Sequence, residues 1–142
     1  MLTLPQIAQR TNRLRQEGSR YVRIIHMKKG WDSLGRGFVA CSSYSTHIIS
    51  GDGRPIKNTN PSRYITVITF LDTQLHVNIS CSCGDFTYRW ETALHHKSAA
   101  DIEYSNGEWP VITNPQGRGW ACKHLLALYY KIKPQLPAPR RK

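Results

Sequence analysis

Four stretches of this chain are dense in β-branched and aromatic residues: YVRIIHM (21–27), GFVACSSY (37–44), RYITVITFL (63–71) and QLHVNISCS (74–82). Such side chains pack well on a pleated surface, so each stretch predicts a strand. THIIS (46–50) continues the second strand or adds a short one. Asp72-Thr73, between the last two runs, is a candidate hairpin turn, and GDGRPIKNTNPS (51–62) reads as a loop by composition.

Three stretches have the apolar spacing of helices. TLPQIAQRTNRLRQEG (3–18) opens with Thr3 as a cap, Pro5 in the first turn and Gln6 where a capping box places it. Gly18 is the expected stop. Its apolar face is thin (Leu4, Ile7, Leu14), and Arg10, Arg13 and Arg15 cover much of the remainder. A second helix is expected over 85–97, with Asp85 as its cap and Phe86, Trp90, Ala93 and Leu94 as its core-facing stripe. A third begins near Cys122 and carries Leu125, Leu126, Leu128, Tyr129 and Ile132. Lys131 and Lys133 lie at its C-terminal end, where the helix dipole favours cations, and Pro134 stops it.

Together these elements predict an α+β fold, a small and mostly antiparallel sheet with packed helices. The chain divides into an N-terminal helix and strands (1–62), a second region (63–133) and a Pro-rich basic tail (134–142), all within one compact domain. At 142 residues it is long enough to bury a core. No charged-then-apolar leader and no apolar run near 20 residues occurs, so the expectation is a soluble protein that is neither secreted by a signal peptide nor membrane-bound.

Charge sharpens the picture. Twenty Lys and Arg against nine Asp and Glu give a net +11, which fits a polyanionic partner such as nucleic acid, or an acidic protein. The charge is uneven. Asp85 to Glu108 holds five acids and two bases, a net of −3 that leaves +14 on the rest. The basic groups gather at the two ends, with Arg10, Arg13, Arg15, Arg20 and Arg23 near the start and Lys131, Lys133, Arg140, Arg141 and Lys142 at the finish; all of these but Arg20 and Arg23 are the candidate polyanion contacts. The acidic stretch carries Tyr104 and Trp109, which among acids are candidate protein-interface anchors, because phosphates are repelled there.

The candidate chemistry lies in four residues. In a strand, positions i and i+2 point to one side, so Cys81 and Cys83 can aim both thiolates at one ion. Gly84 then allows a sharp turn. Cys122 and His124 stand at the start of the last helix, whose positive end favours a thiolate. Three thiolates and one imidazole make a closed tetrahedral set for one structural zinc ion. Cys41 is the cysteine left over, and its apolar neighbours mark it as a small core residue.

CxC, an interval, then CxH resembles the SWIM zinc finger, and Cys81, Cys83, Cys122 and His124 match that signature residue by residue. The resemblance covers about 63–133. It implies these four as zinc ligands, a strand pair feeding the CxC, a helix beginning with CxH, and a module that binds DNA or protein without being catalytic. The interval, 84–121, is longer than the family's short linkers, and its Asn106-Gly107 pair is a candidate hairpin turn. Closing a loop of this length through a metal restricts the unfolded chain by roughly 3–4 kcal/mol, treated as a crosslink. DFTYRWE, YSNGEWP, TNP and CKHLLAL together are similar to small SWIM-type proteins of tailed bacteriophages. That resemblance implies a location in the virion or the bacterial host cytoplasm.

Nothing marks an enzyme: the chain has no P-loop, no dinucleotide-type Gly-rich turn and no GxSxG. His95 and His96 are adjacent, so on a helix they diverge by about 100° and do not share an ion. His26, His47 and His76 fall in strand runs and read as ordinary sheet residues. The expectation is a non-enzymatic, zinc-stabilised interaction or structural protein, a small subunit of a phage tail, baseplate or neck that contacts other protein subunits. The alternative is a SWIM-type nucleic-acid-binding protein acting in DNA metabolism.

Overall fold

The structure, a computed structural model, describes residues 2–105, 107–110 and 114–136. Its centre is a four-stranded antiparallel sheet in the order β1 (Val22–Trp31), β2 (Gly37–Ser45), β5 (Tyr64–Phe70), β6 (Val77–Cys81). A separate two-stranded ribbon pairs β3 (His47–Ile49) with β4 (Pro55–Lys57). The helices are α1 (Leu4–Arg10), α2 (Arg13–Ser19), α3 (Glu91–His96) and α4 (Lys123–Ile132). The fold is α+β as expected. β2 and β5 are neighbours, so 1–62 and 63–133 share one sheet.

One buried cluster joins the layers. Ile68, Val77 and Ile79 come from the sheet, Phe86, Trp90 and Leu94 from the stretch before and within α3, and Leu125, Leu126 and Leu128 from α4. Leu4 and Ile7 of α1 close it. The stripe expected over 85–97 is buried throughout, since Ala93 is 1% exposed and the others no more than 3%.

Several elements depart from their expected form for local reasons. The first helix is two helices. Its cap and capping box form as expected at Thr3 and Gln6. The chain then becomes extended at Thr11, and the Asn12 side chain accepts from Arg15 N to start a second helix that runs past Gly18 to Ser19. The 51–62 loop contains β4, because β3 gives it a pairing partner. The hairpin at Asp72-Thr73 is a wider turn closed by Leu71 N to His76 O, with Asp72 accepting from Gln74 N and His76 N. The helix expected from Asp85 opens with a π-helical turn, Phe86–Trp90, and Asp85 does not cap it. Pro134 ends α4 as an α-helix but sits in a following 3₁₀ turn, Lys133–Gln135. His26 is no regular strand residue. Its φ is 51°, and the pairing jumps from Ile25↔Ser42 to Lys28↔Ala40, so His26 and Met27 face Cys41 alone in a β-bulge. Asn106 and most of the basic tail, with Arg140, Arg141 and Lys142, lie outside the described residues; the described neighbours of Asn106 form no strand.

Candidate metal centre

β6 ends at Cys81, which pairs with Thr66 of β5, and the Thr66 hydroxyl donates to the Cys81 sulfur at 3.5 Å. Ser82 stays tied to the sheet through its N–H to Ile65 O and its hydroxyl, which accepts from Ile65 N. Cys83 therefore leaves the sheet with its side chain on the same side as Cys81. The π-helical turn follows at once: Phe86 N donates to the Cys83 sulfur at 3.4 Å, and Thr87 donates to the Cys83 carbonyl from both its N–H and its hydroxyl. From the far end of the chain, Cys122 takes the N-cap position of α4, and its carbonyl accepts from Leu126 N. His124 lies in the first turn of that helix, its ring 5.0 Å from the Tyr64 ring.

Cys81, Cys83, Cys122 and His124 each present a ligand atom, and these atoms lie within 4.8 Å of one another. All four residues are buried, and the three thiols are free of disulfides. Neither ring nitrogen of His124 has a hydrogen-bond partner. A buried imidazole with both nitrogens unmatched is costly, as is a set of three thiols crowded away from water. A bound cation removes both costs. The thiol acidities follow the same logic. Hydrogen bonds from Cys122 and Cys83 hold the Cys81 thiol well below its ordinary value. Burial, then Cys81 and Cys83, push Cys122 well above it. Cys83 is drawn down by Cys122 but ends raised, because Cys81 and burial outweigh that pull. The three thiols thus compete for protons at one place, and a cation bound there would favour the thiolate form of each. The donor set fits a four-coordinate thiolate–imidazole ion.

Two basic side chains stand beside the cysteines. Lys123, next to Cys122, has its ammonium pKa lowered by burial. Arg15 reaches in from α2 and grips Asp85 with two hydrogen bonds of 2.7 Å, its guanidinium 4.9 Å from the centre of the Trp90 ring. Asp85 also meets Arg89 at 3.1 Å and accepts from Trp90 Nε1. A cavity of about 460 Å³ lies over the cluster. Cys83, Cys122 and His124 line it together with Leu14, Ile48 and Tyr64.

The remaining candidate residues scatter. Arg15 is not a free cation, since Asp85 engages it and its side chain is 13% exposed. Arg13 is exposed and pairs with Glu17. Arg10 is exposed at the end of α1, and Lys131 and Lys133 are exposed at the end of α4. Lys133 sits 5.8 Å from the Tyr129 ring centre. Tyr104 and Trp109 are 40% and 42% exposed. Trp109 packs edge-on against His96 and donates from Nε1 to Pro115 O. Cys41 is buried outside the metal cluster, its thiol pushed up to about 11 by burial and by Cys81.

The 84–121 excursion is organised by two buried polar residues that are not among the candidate site residues. Glu91 is fully buried, and its carboxylate accepts from the backbone N–H groups of Glu103, Tyr104 and Ser105. Asn114 is buried too, donating to Arg89 O and Arg118 O and accepting from Arg118 N. In the sequence Glu91 closes the DFTYRWE stretch and Asn114 is the middle of TNP, but neither stretch reports that these side chains are buried. The chain matches no protein-family model, no curated protein and no solved structure.

Proposed function

We propose that this protein is a zinc-stabilised, non-enzymatic interaction module of the SWIM kind, serving as a small structural subunit of a tailed-phage particle in the tail, baseplate or neck. The observation that carries the zinc reading is the buried set of Cys81, Cys83, Cys122 and His124, with both His124 nitrogens unmatched. Zinc suits three thiolates and one imidazole, and four protein ligands leave it a structural rather than a catalytic ion. The antiparallel β5–β6 pair leading into Cys81 and the helix starting after Cys122 support the SWIM likeness. The particle assignment rests on the sequence resemblance.

In this reading the ion fastens the end of β6 to the start of α4 and so closes the 84–121 excursion at its base. That excursion displays Tyr104 and Trp109 on an acidic surface, as anchors for a neighbouring subunit. Elemental analysis of the purified protein tests the first half, with one zinc per chain expected. Mass spectrometry of gradient-purified virions tests the second. The expected result is that the protein sediments with intact particles, and that Trp109→Ala lowers its incorporation while its zinc content stays at one. A protein found only in the soluble fraction removes the particle assignment and leaves the metal centre standing.

A further inference from the structure

The acids of this chain are largely committed nearby. Glu17, Asp32, Asp52, Asp72 and Asp85 each sit in a salt bridge, taking Arg13, Arg36, Arg54, His76 and the pair Arg15 and Arg89. Arg20, Arg23 and Lys131 are in no salt bridge among the described residues, and all three are exposed. They line one cleft of about 850 Å³, between the end of α2, the start of β1, the β2–β3 junction and the outer side of α4. No carboxylate lines it. The nearest acid in sequence, Glu17, is held by Arg13.

Three aromatic rings share the cleft with these cations. Tyr130 is 43% exposed, and its hydroxyl donates to Gln16 Oε1, which fixes the ring's direction. Tyr21 and His47 stand with ring centres 5.0 Å apart on the opposite side. Unpaired guanidinium and ammonium groups beside an exposed ring, here Tyr130, are the components of single-strand recognition. The cations track phosphates, and the rings offer faces to bases. An acidic peptide would use the same cations, and rings also anchor protein partners, so the competition with polyglutamate below separates the two.

We propose that this cleft binds a single-stranded nucleic acid, with Arg20, Arg23 and Lys131 on its phosphates and Tyr130 stacking a base. None of these residues belongs to the metal set, so the inference stands apart from the zinc and particle readings. It also moves the polyanion contact. The cleft uses Lys131 from the earlier candidates, adds Arg20 and Arg23, and does not use Arg15.

The test is fluorescence anisotropy of the full, metal-loaded chain with a labelled oligothymidylate of about 16 nucleotides, across a salt series. R20A/R23A/K131A should weaken binding at least tenfold and flatten the salt slope by roughly 2, as expected for three lost phosphate contacts on a single strand. The control K57A/R63A/K97A removes equal charge from exposed positions outside the cleft and should change binding by less than about threefold. Tyr130→Ala should lose about tenfold and Tyr130→Phe should not, because the ring stacks and the hydroxyl does not. Thermal unfolding and metal content verify that each variant is folded. Equal losses in the two triple variants would overturn the proposal, as would binding unchanged in R20A/R23A/K131A. Tighter binding of the duplex than of the single strand would overturn it as well. Displacement by polyglutamate as effective as by unlabelled oligothymidylate would assign the cleft to an acidic protein instead.

Discussion

Arg15 and Asp85, 70 residues apart in the chain, meet through two parallel 2.7 Å hydrogen bonds beside the metal cluster. Through this pair α2 fixes the start of the turn that follows Cys83. Both side chains are mostly shielded, at 13% and 31% exposure. Arg15→Ala leaves Asp85 with Arg89 and the Trp90 indole N–H and should cost about 2–3 kcal/mol in urea unfolding. Arg15→Lys should recover only part of that, because an ammonium cannot reproduce the two-pronged geometry. Equal stability of Arg15→Lys and the wild type would mean that charge alone matters here.

Removal of one ligand should empty the metal centre. Cys122→Ser is expected to purify with less than one tenth of the wild-type metal and to be cleaved rapidly within 84–121 by a broad-specificity protease. Acidification should release the metal from the wild type, because protons compete for the thiolates. Full metal content in Cys122→Ser would dismiss the proposed coordination sphere.

Cys41→Ala should behave in the opposite way. The side chain is buried in the sheet outside the cluster, so metal content stays at one and stability falls by about 1 kcal/mol. With its pKa near 11, the Cys41 thiol should also resist alkylation at neutral pH until the chain unfolds. Thiol counting before and after chelation and denaturation checks both statements.

Glu91→Ala removes the acceptor of three backbone N–H groups in a fully buried site. A loss of about 3 kcal/mol is expected, with Glu91→Gln intermediate because one carbonyl oxygen remains. Hydrogen exchange should rise first at 103–105, where those donors lie.

Gly117→Ala should disturb Trp109. Gly117 has φ +64°, and a Cβ there would fall 2.5 Å from the indole ring. Backbone strain and the clash both act, so the variant should lose more than 1 kcal/mol and shift the Trp109 fluorescence. The effect should vanish in spectra of a Trp109→Phe background.

The gathering of the three cysteines and His124 was legible because its logic is local: two thiols two apart at a strand end, and a Cys and His at a helix start. What the sequence concealed depends on distant partners. Thr11 breaks the first helix while its hydroxyl donates to Ile7 O and accepts from Ala121 N, 110 residues away. Asp85 has the chemistry of a cap, but Arg15 and Arg89 draw its carboxylate sideways. Glu91 and Asn114 are polar and therefore look solvated, yet they are buried because loop backbone supplies their partners. Composition marks 51–62 as a loop and cannot report that β3 offers Pro55–Lys57 a ladder.

The two margins of the sheet are finished differently. β6 is covered: Ile79 N donates to Ala99 O, and Val77 N donates to Leu2 O. β1 has no strand beyond it among the described residues, and there the backbone kinks at His26 just before Lys28 and Lys29. A second copy trying to extend the sheet along β1 meets a row of donors and acceptors out of step, beside two like charges. The margin that the fold leaves open is thus a poor template for a further strand of the same kind.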